Sequence, residues 1–391
     1  MHIYATPLHK SFHFFCNSID FSCRKRYNIS MHHENLFIRS TGFHATSGKA
    51  VNLFMSVTLK DVAALAGVSP STASRACKDN PSISRETKEK VRKAMEELGY
   101  EPSFQSGANG DNKTIGIILP PSPKESFENA FHLEVIRGVS QFCNSHNYMN
   151  TIITGQDDDE ILNAISTLVK SSKVDGFIVT YSKQDDPVID YLYNEGLLYV
   201  VIGKAYRFAN QTVYIDNDNV LAAQEATEYL IGLGHTNIAY LGSDSNLMFS
   251  ADRRSGYQIA LLNHGLTVDP DNIVELPFIP EKNAAAVHTL LSRENRPSAI
   301  IVSDDIFAVA LERVCIEIGI SIPEDLSIIS FNNSLFARLT SPQLTSIDIN
   351  SVQLGFEAAS QVINHIENPN LLATKIIVPH RLIERRSCRR V

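Results

Sequence analysis

No stretch of this chain approaches the ~18 uninterrupted apolar residues that a membrane-spanning helix requires, so a soluble protein is expected. None of the six cysteines, Cys16, Cys23, Cys77, Cys143, Cys315 and Cys388, belongs to a C-x-x-C pair. Scattered thiols of this kind fit a reduced, cytoplasmic protein better than a disulfide scaffold. A G-x-G-x-x-G loop, zinc-ligand spacing and a Ser-His-Asp order are also missing, which leaves an enzyme reading without support and implies neither cofactor nor metal. Two near misses fall away. Residues 42–49 resemble a phosphate loop, but the spacing between Gly42 and Gly48 is one residue too long, and Ala50 stands where Ser or Thr must bind magnesium. Asp216-Asn217-Asp218-Asn219 lacks the Gly and terminal Glu of a calcium loop. The acidic run Asp157-Asp158-Asp159-Glu160 precedes a helical stretch, where acids complement the positive end of the dipole.

What is present is an ordinary globular mix, 43% hydrophobic and 20% charged over 391 residues, enough for two to three domains. The net charge of −8 argues against a nucleic-acid partner until its distribution is considered. Residues 1–54 carry a net +4, residues 55–104 a net +1, and residues 105–391 a net −13. A small N-terminal head can therefore approach phosphates while the acidic body stays clear. Residues 1–54 show neither helical nor strand periodicity and lack the design of a signal peptide, so they are expected to be an unstructured extension upstream of a true start at Met55.

Residues 55–102 predict three short helices. Thr58 and Asp61 have capping-box spacing; Val62, Ala63, Leu65 and Ala66 form an apolar face; Gly67-Val68 makes a turn. Ser69 then caps a second helix with Pro70 in its first position, and Ser84 caps a third whose face is Val91, Ala94, Met95 and Leu98, ended by Gly99. A helix, a glycine turn and a Ser-Pro-capped helix make a helix-turn-helix, whose second helix must present its N-terminal side chains to the major groove. Pro70, Ser71, Thr72, Ser74 and Arg75 lie at that end. Arg75 can grip guanine with two hydrogen bonds. Thr58, Ser69, Ser71, Thr72, Lys78 and Tyr100 complete the candidate DNA contacts, the hydroxyls and Lys78 being suited to phosphates. An ordinary helical bundle is the competing reading on spacing alone.

Residues 103–112 are small, polar and glycine-containing, as in a linker. From residue 113, continuous Val/Ile/Leu runs at 115–119, 151–153, 176–179, 199–202, 238–241, 299–302, 327–330 and 375–378 alternate with amphipathic stretches. This α/β texture predicts parallel sheets covered on both faces. About 280 residues is generous for one such unit, so two lobes are expected, with ligand beyond the C-terminal strand ends.

The segments Val57-Thr58-Leu59-Lys60-Asp61-Val62-Ala63, Ala66-Gly67-Val68-Ser69, Ser71-Thr72-Ala73-Ser74-Arg75 and Glu97-Leu98-Gly99-Tyr100-Glu101-Pro102 resemble the head of the lactose/galactose-repressor family. The likeness continues in order through Lys113-Thr114-Ile115-Gly116, Val174-Asp175-Gly176, Asp216-Asn217, Leu233-Gly234-His235, Arg253 with Gly256-Tyr257, Ser303-Asp304-Asp305, Ser327-Ile328-Ile329-Ser330-Phe331-Asn332 and Leu344-Thr345-Ser346-Ile347, covering about residues 57–386. It implies an all-α three-helix head on two periplasmic-binding-protein-like lobes joined by three crossovers. It also implies a homodimer on a palindromic operator. Lobe 1 is placed at about 113–208 and 350–368, lobe 2 at about 212–340 and 372–386. Two features depart from the family: its hinge leucine is replaced by Asn109 between glycines, which cannot wedge into a minor groove, and Asn332 stands where many members have Asp.

The resemblance implies Arg253 and Asp305 as effector contacts, a donor fork and an acceptor suited to sugar hydroxyls. Phe127, Phe131 and Tyr181 could stack on a sugar ring or simply be core; Lys204 and Asn332 follow strand ends, and Arg253 could instead pair with Asp252. Asn129-Ala130-Phe131 with Glu134 through Gly138, and Ile202-Gly203-Lys204, are similar to maltose-operon repressors. Maltose or a related α-glucoside is the first effector expected, with another sugar or a purine as alternatives. A phosphocarrier corepressor is a further partner that no residue here supports. A transport-type sugar-binding protein and an enzyme of sugar metabolism are the competing readings.

Overall fold

The computed structural model describes residues 27–32, 35–40, 57–77, 83–100, 113–122, 129–276 and 280–391. The chain divides into two units, residues 1–56 and residues 57–391. In the first, β1 (Tyr27–His32) and β2 (Asn35–Ser40) form an antiparallel hairpin, with Ile29 opposite Ile38. The expectation of an unstructured extension therefore does not hold for residues 27–32 and 35–40: β1 alternates polar and apolar residues over only six positions, and β2 carries the run Leu36-Phe37-Ile38 instead of an alternation.

In the second unit, three helices come first: α1 (Leu59–Ala66), α2 (Pro70–Cys77) and α3 (Arg85–Leu98). The backbone N–H of Thr58 donates to Asp61 Oδ2 at 2.9 Å, and its hydroxyl donates to the same oxygen at 2.7 Å. Gly67 ends α1 at φ 67°, a left-handed position that costs glycine little. Ser69 Oγ accepts from Thr72 N at 3.1 Å, and Ser84 Oγ from Thr87 N at 3.2 Å, as the caps require. Leu59, Val62, Ala63, Ala73, Ala76, Val91 and Ala94 close a small core.

The remaining chain builds two six-stranded sheets. The first contains β3 (Thr114–Ile118), β4 (Met149–Ile153), β5 (Gly176–Val179), β6 (Tyr199–Ile202), β7 (Val213–Asp216) and, from near the C-terminus, β13 (Lys375–Ile377). Its order is β13-β7-β6-β5-β3-β4, parallel throughout. The second contains β8 (Ile238–Gly242), β9 (Ile273–Glu275), β10 (Ala299–Val302), β11 (Ser327–Phe331), β12 (Thr345–Asp348) and β14 (Arg381–Ile383), in the order β14-β12-β11-β10-β8-β9. Only β14 runs antiparallel to its neighbour. Helices α4 (Ala130–Ser145), α5 (Asp158–Lys170), α6 (Pro187–Asn194) and α12 (Ser351–Glu367) belong to the first lobe; α7 (Asn219–Gly232), α8 (Met248–Asn263), α9 (Pro280–Leu291), α10 (Asp305–Ile318) and α11 (Leu335–Leu339) to the second.

Three short segments, after β7, after β12 and after β13, carry the chain between lobes. The expected lobe boundaries need one correction. Residues 213–216 and 375–377 belong to lobe 1, because Val213 pairs with Val200 and Lys375 with Tyr214. The first and third crossovers thus lie a strand later than the sequence places them, while the second, after β12, falls in the expected 340–350 gap. In lobe 1, α4 and α12 approach backbone to backbone: a Cβ on Gly138 would meet Val352 O at 2.0 Å, and one on Gly355 would meet Val135 O at 2.1 Å. Among the described residues, no helix is long and apolar enough to cross a membrane. The linker at 103–112, Asn109 included, lies outside the described residues, as do Lys78 and Phe127.

Candidate functional site

Parallel strands point their C-terminal ends the same way, so the loops after β3, β5, β6, β8, β10 and β11 converge where the lobes face each other. A cavity of about 980 Å³ lies there, at the upper end of the range for small-ligand pockets. On the lobe 2 side Arg253, in α8, is 3% exposed. Its Nε donates to Asn219 Oδ1 at 2.8 Å and its Nη1 to Ser303 O at 2.6 Å. The guanidinium also lies 4.2 Å from the Phe331 ring centre and 4.9 Å from that of Phe249. Burial pulls its pKa down to about 10, which leaves it cationic at neutral pH. The expected pairing alternative, Asp252, is instead bonded to Lys204.

Asp304 caps α10 and also lines the cavity. Its Oδ2 accepts from Asn129 Nδ2 at 2.7 Å and from Asn332 Nδ2 at 2.8 Å, while its Oδ1 accepts from Ile306 N at 3.0 Å. Burial, reinforced by the neighbouring Asp305, raises its pKa to about 6. Asp305 was the residue expected to line the cavity; its neighbour Asp304 lines it and Asp305 does not. The Oδ1 of Asp305 accepts from Ser330 Oγ and Ser346 Oγ, and its Oδ2 from Ser334 N. The reason is geometric: the N-cap side chain faces the strand ends, and the next residue turns about 100° away, toward the sheet.

Phe131, Tyr181 and Asn332 line the cavity. Asn332 sits at φ 95°, a conformation its short amide tolerates better than most side chains. Lys204 does not line it; its Nζ reaches Asp252 Oδ2 at 3.2 Å, tying lobe 1 to lobe 2. The lobes are further joined by main-chain bonds, Gln184 N to Asn246 O at 2.9 Å and Met248 N to Ser182 O at 3.0 Å. Sequence reasoning missed His132, Ser243, Phe249, Asp216 and Asn219. His132 Nδ1 and Ser243 Oγ are buried without a hydrogen-bond partner, an unfavourable state that a polar ligand would relieve. Burial drops the His132 pKa to about 4, so the ring is neutral. Asp216, Ser243 and Asn219 had only their position at or just after strand ends as a signal, and His132 and Phe249, in the first turns of α4 and α8, had none.

In the head, Thr58, Ser69, Pro70, Thr72, Arg75 and Tyr100 are all at least partly exposed, and α2 carries Ser71 in its first turn. Ser74 differs. It is 8% exposed, and its hydroxyl donates to Gly196 O, in lobe 1, at 3.0 Å. Among the described residues, no group of three or more His, Cys, Asp or Glu could hold a metal.

Comparison with known proteins places these features. Residues 58–103 match the family described as bacterial regulatory proteins, lacI family, and residues 227–388 match a periplasmic binding protein-like domain. The chain is 36% identical over 340 residues to the HTH-type transcriptional regulator MalR of Streptococcus pneumoniae, covering 85% of this chain and 100% of that protein. Among solved structures, a transcriptional regulator CelR–cellobiose complex superposes with a TM-score of 0.68 at 27% identity, covering 85% of this chain and 99% of the other. A probable maltose operon transcriptional repressor malR from Staphylococcus aureus gives 0.65 at 29% identity, covering 71% and 99%.

Proposed function

Because the chain belongs to the lacI family of bacterial regulatory proteins, we propose that it is a cytoplasmic transcription repressor whose grip on operator DNA is set by a neutral sugar held between its lobes. One observation carries this: a Ser-Pro-capped α2 and a cavity of about 980 Å³ walled by Arg253, Asp304, Asn332 and Phe131 occur in one chain. The head supplies hydroxyls for phosphates and Arg75 for a base edge. Two copies related by a two-fold axis would present two heads to a palindrome. The cleft offers a sugar what it needs: a donor fork, carboxylate and amide acceptors, and aromatic faces.

The charge of the lining favours a neutral ligand over a sugar phosphate or an acid. Glu160, Asp216, Asp244 and Asp304 line it against Arg253 and Lys183, and Lys183 is already bonded to Asp158 at 2.8 Å. The names of the similar proteins point to maltose first, and the regulator bound to cellobiose to a disaccharide. The control would be a population shift: sugar binds one lobe arrangement better, and that arrangement sets the spacing of the heads.

The test is fluorescence anisotropy of the full chain on its own upstream DNA at fixed salt, titrated with maltose, cellobiose and maltose 6′-phosphate. Palindrome-specific binding that a neutral disaccharide shifts, and the phosphate does not, supports the reading. Binding that only the phosphate shifts removes the neutral-sugar assignment. Absence of specific binding by a folded dimer removes the DNA-binding role.

A further inference from the structure

The face of the head that should meet DNA is occupied by the protein itself. Gly196 lies in the turn that leaves α6 of lobe 1, at φ 62°, with its N–H donating to Tyr193 O at 3.1 Å. A Cβ on this glycine would meet Leu59 Cδ2 at 2.6 Å, Ser74 Cβ at 2.9 Å and Pro70 O at 3.3 Å. The start of α1 and the N-terminal half of α2 thus surround one bare backbone position. The Ser74 hydroxyl fastens the contact by donating to Gly196 O. The charges across the contact are like-signed and do not hold it: after burial, Asp61 of the head raises the pKa of Glu195 beside the turn, and after burial, Arg75 lowers that of His365 near the end of α12. Pro70 and Ser74 are among the side chains that a major groove requires at the tip of α2.

From this geometry we propose that the head docks on lobe 1 around Gly196, and that the docked form is autoinhibited. A base edge and the Gly196 turn cannot occupy the same space against Pro70 and Ser74. The head must leave lobe 1 before it reads DNA. Observed operator affinity is then the intrinsic affinity multiplied by the undocked fraction. Glycine is required at 196 twice over, for its left-handed backbone and for the missing Cβ. Asparagine separates these needs, because it tolerates left-handed φ but carries the Cβ that the head cannot accept.

The autoinhibition rests on the DNA-binding role proposed above, so the test has one readout without DNA. Gly196→Asn is compared with Gly265→Asn in the full chain. Gly265 has nearly the same backbone, φ 69°, but nothing within 4 Å of a built Cβ. Small-angle X-ray scattering without DNA should give a larger radius of gyration for Gly196→Asn and an unchanged one for Gly265→Asn. Anisotropy without sugar should give operator binding about fivefold tighter for Gly196→Asn alone, the sign expected when a competing closed state is removed. An unchanged radius for Gly196→Asn overturns the docking. An expanded variant whose operator affinity is unchanged or weaker overturns the autoinhibition while leaving the docking in place. If neither variant nor parent binds operator, the scattering still decides the docking, and it is the DNA-binding role that fails.

Discussion

Asp216 shows how much one side chain's setting decides. Its Oδ1 accepts from Asn217 N at 2.8 Å and from Asn219 Nδ2 at 3.0 Å, yet burial outweighs these bonds and raises its pKa to about 7. The folded protein therefore holds this proton more tightly than the unfolded chain, where a carboxyl titrates near its ordinary value of about 3.9. Stability from this group is present at low pH and is lost as pH rises through the window from about 4 to about 7. Asp304 titrates in an overlapping window with the same sign, so the contrast of a single variant isolates Asp216. Asp216→Asn keeps the Oδ1 acceptor and removes the charge. In urea unfolding it should match the parent at pH 4 and exceed it at pH 8; a variant less stable at pH 8 would mean the charge is wanted there. Sequence could place Asp216 at a crossover but not its burial. It also chose Asp305 over Asp304, since two adjacent aspartates read alike until a helix cap assigns one to the strand ends and the other to Ser330, Ser334 and Ser346.

At the scale of elements, legibility followed side-chain chemistry. Runs such as Ile115-Gly116-Ile117-Ile118 and Ala299-Ile300-Ile301-Val302 announce buried strands, and the caps Thr58, Ser69 and Ser84 announce helix starts, because each is a local demand of the backbone. β12, Thr-Ser-Ile-Asp, and β14, Arg-Leu-Ile, gave no such signal; their place depends on pairing across the sheet, Ser346 opposite Ile383. The first turns of α8 were also hidden, since Ser250 and Arg253 point inward and break the apolar stripe. The α4–α12 contact was invisible for another reason: close helix approach depends on what is missing from Gly138 and Gly355. Gly138→Ala places a methyl carbon where Val352 O already stands. The helices must part, and overpacking of this kind costs about 1–3 kcal/mol. The expected result is a clearly lowered melting temperature, measured by circular dichroism, despite alanine's better helix propensity. A melting temperature equal to or above the parent's would show that α4 and α12 yield freely.

The whole molecule adds what no element holds, a cleft made only when the lobes meet. Its position was legible from the rule that ligands bind beyond strand ends, but its walls were not, because Asn129 and Asp304 are 175 residues apart in sequence and meet across the lobes. The role of Lys204 follows from this scale. Beside a strand end it reads as a ligand contact, whereas it bridges to Asp252 outside the cavity, with its side chain 47% exposed. An exposed pair contributes about 0–1 kcal/mol, too little to hold a fold but enough to bias two lobe arrangements that differ by a few kcal/mol. Lys204→Ala should therefore leave thermal stability within about a degree of the parent and weaken sugar binding by about two- to fivefold, the factor by which such a bias lowers the closed population. High salt should weaken sugar binding to the parent and leave the variant less affected, because salt screens the same bridge. Isothermal titration of the full chain at two salt concentrations separates this from direct ligand contact, since a lost hydrogen bond to the sugar would lower affinity equally at both.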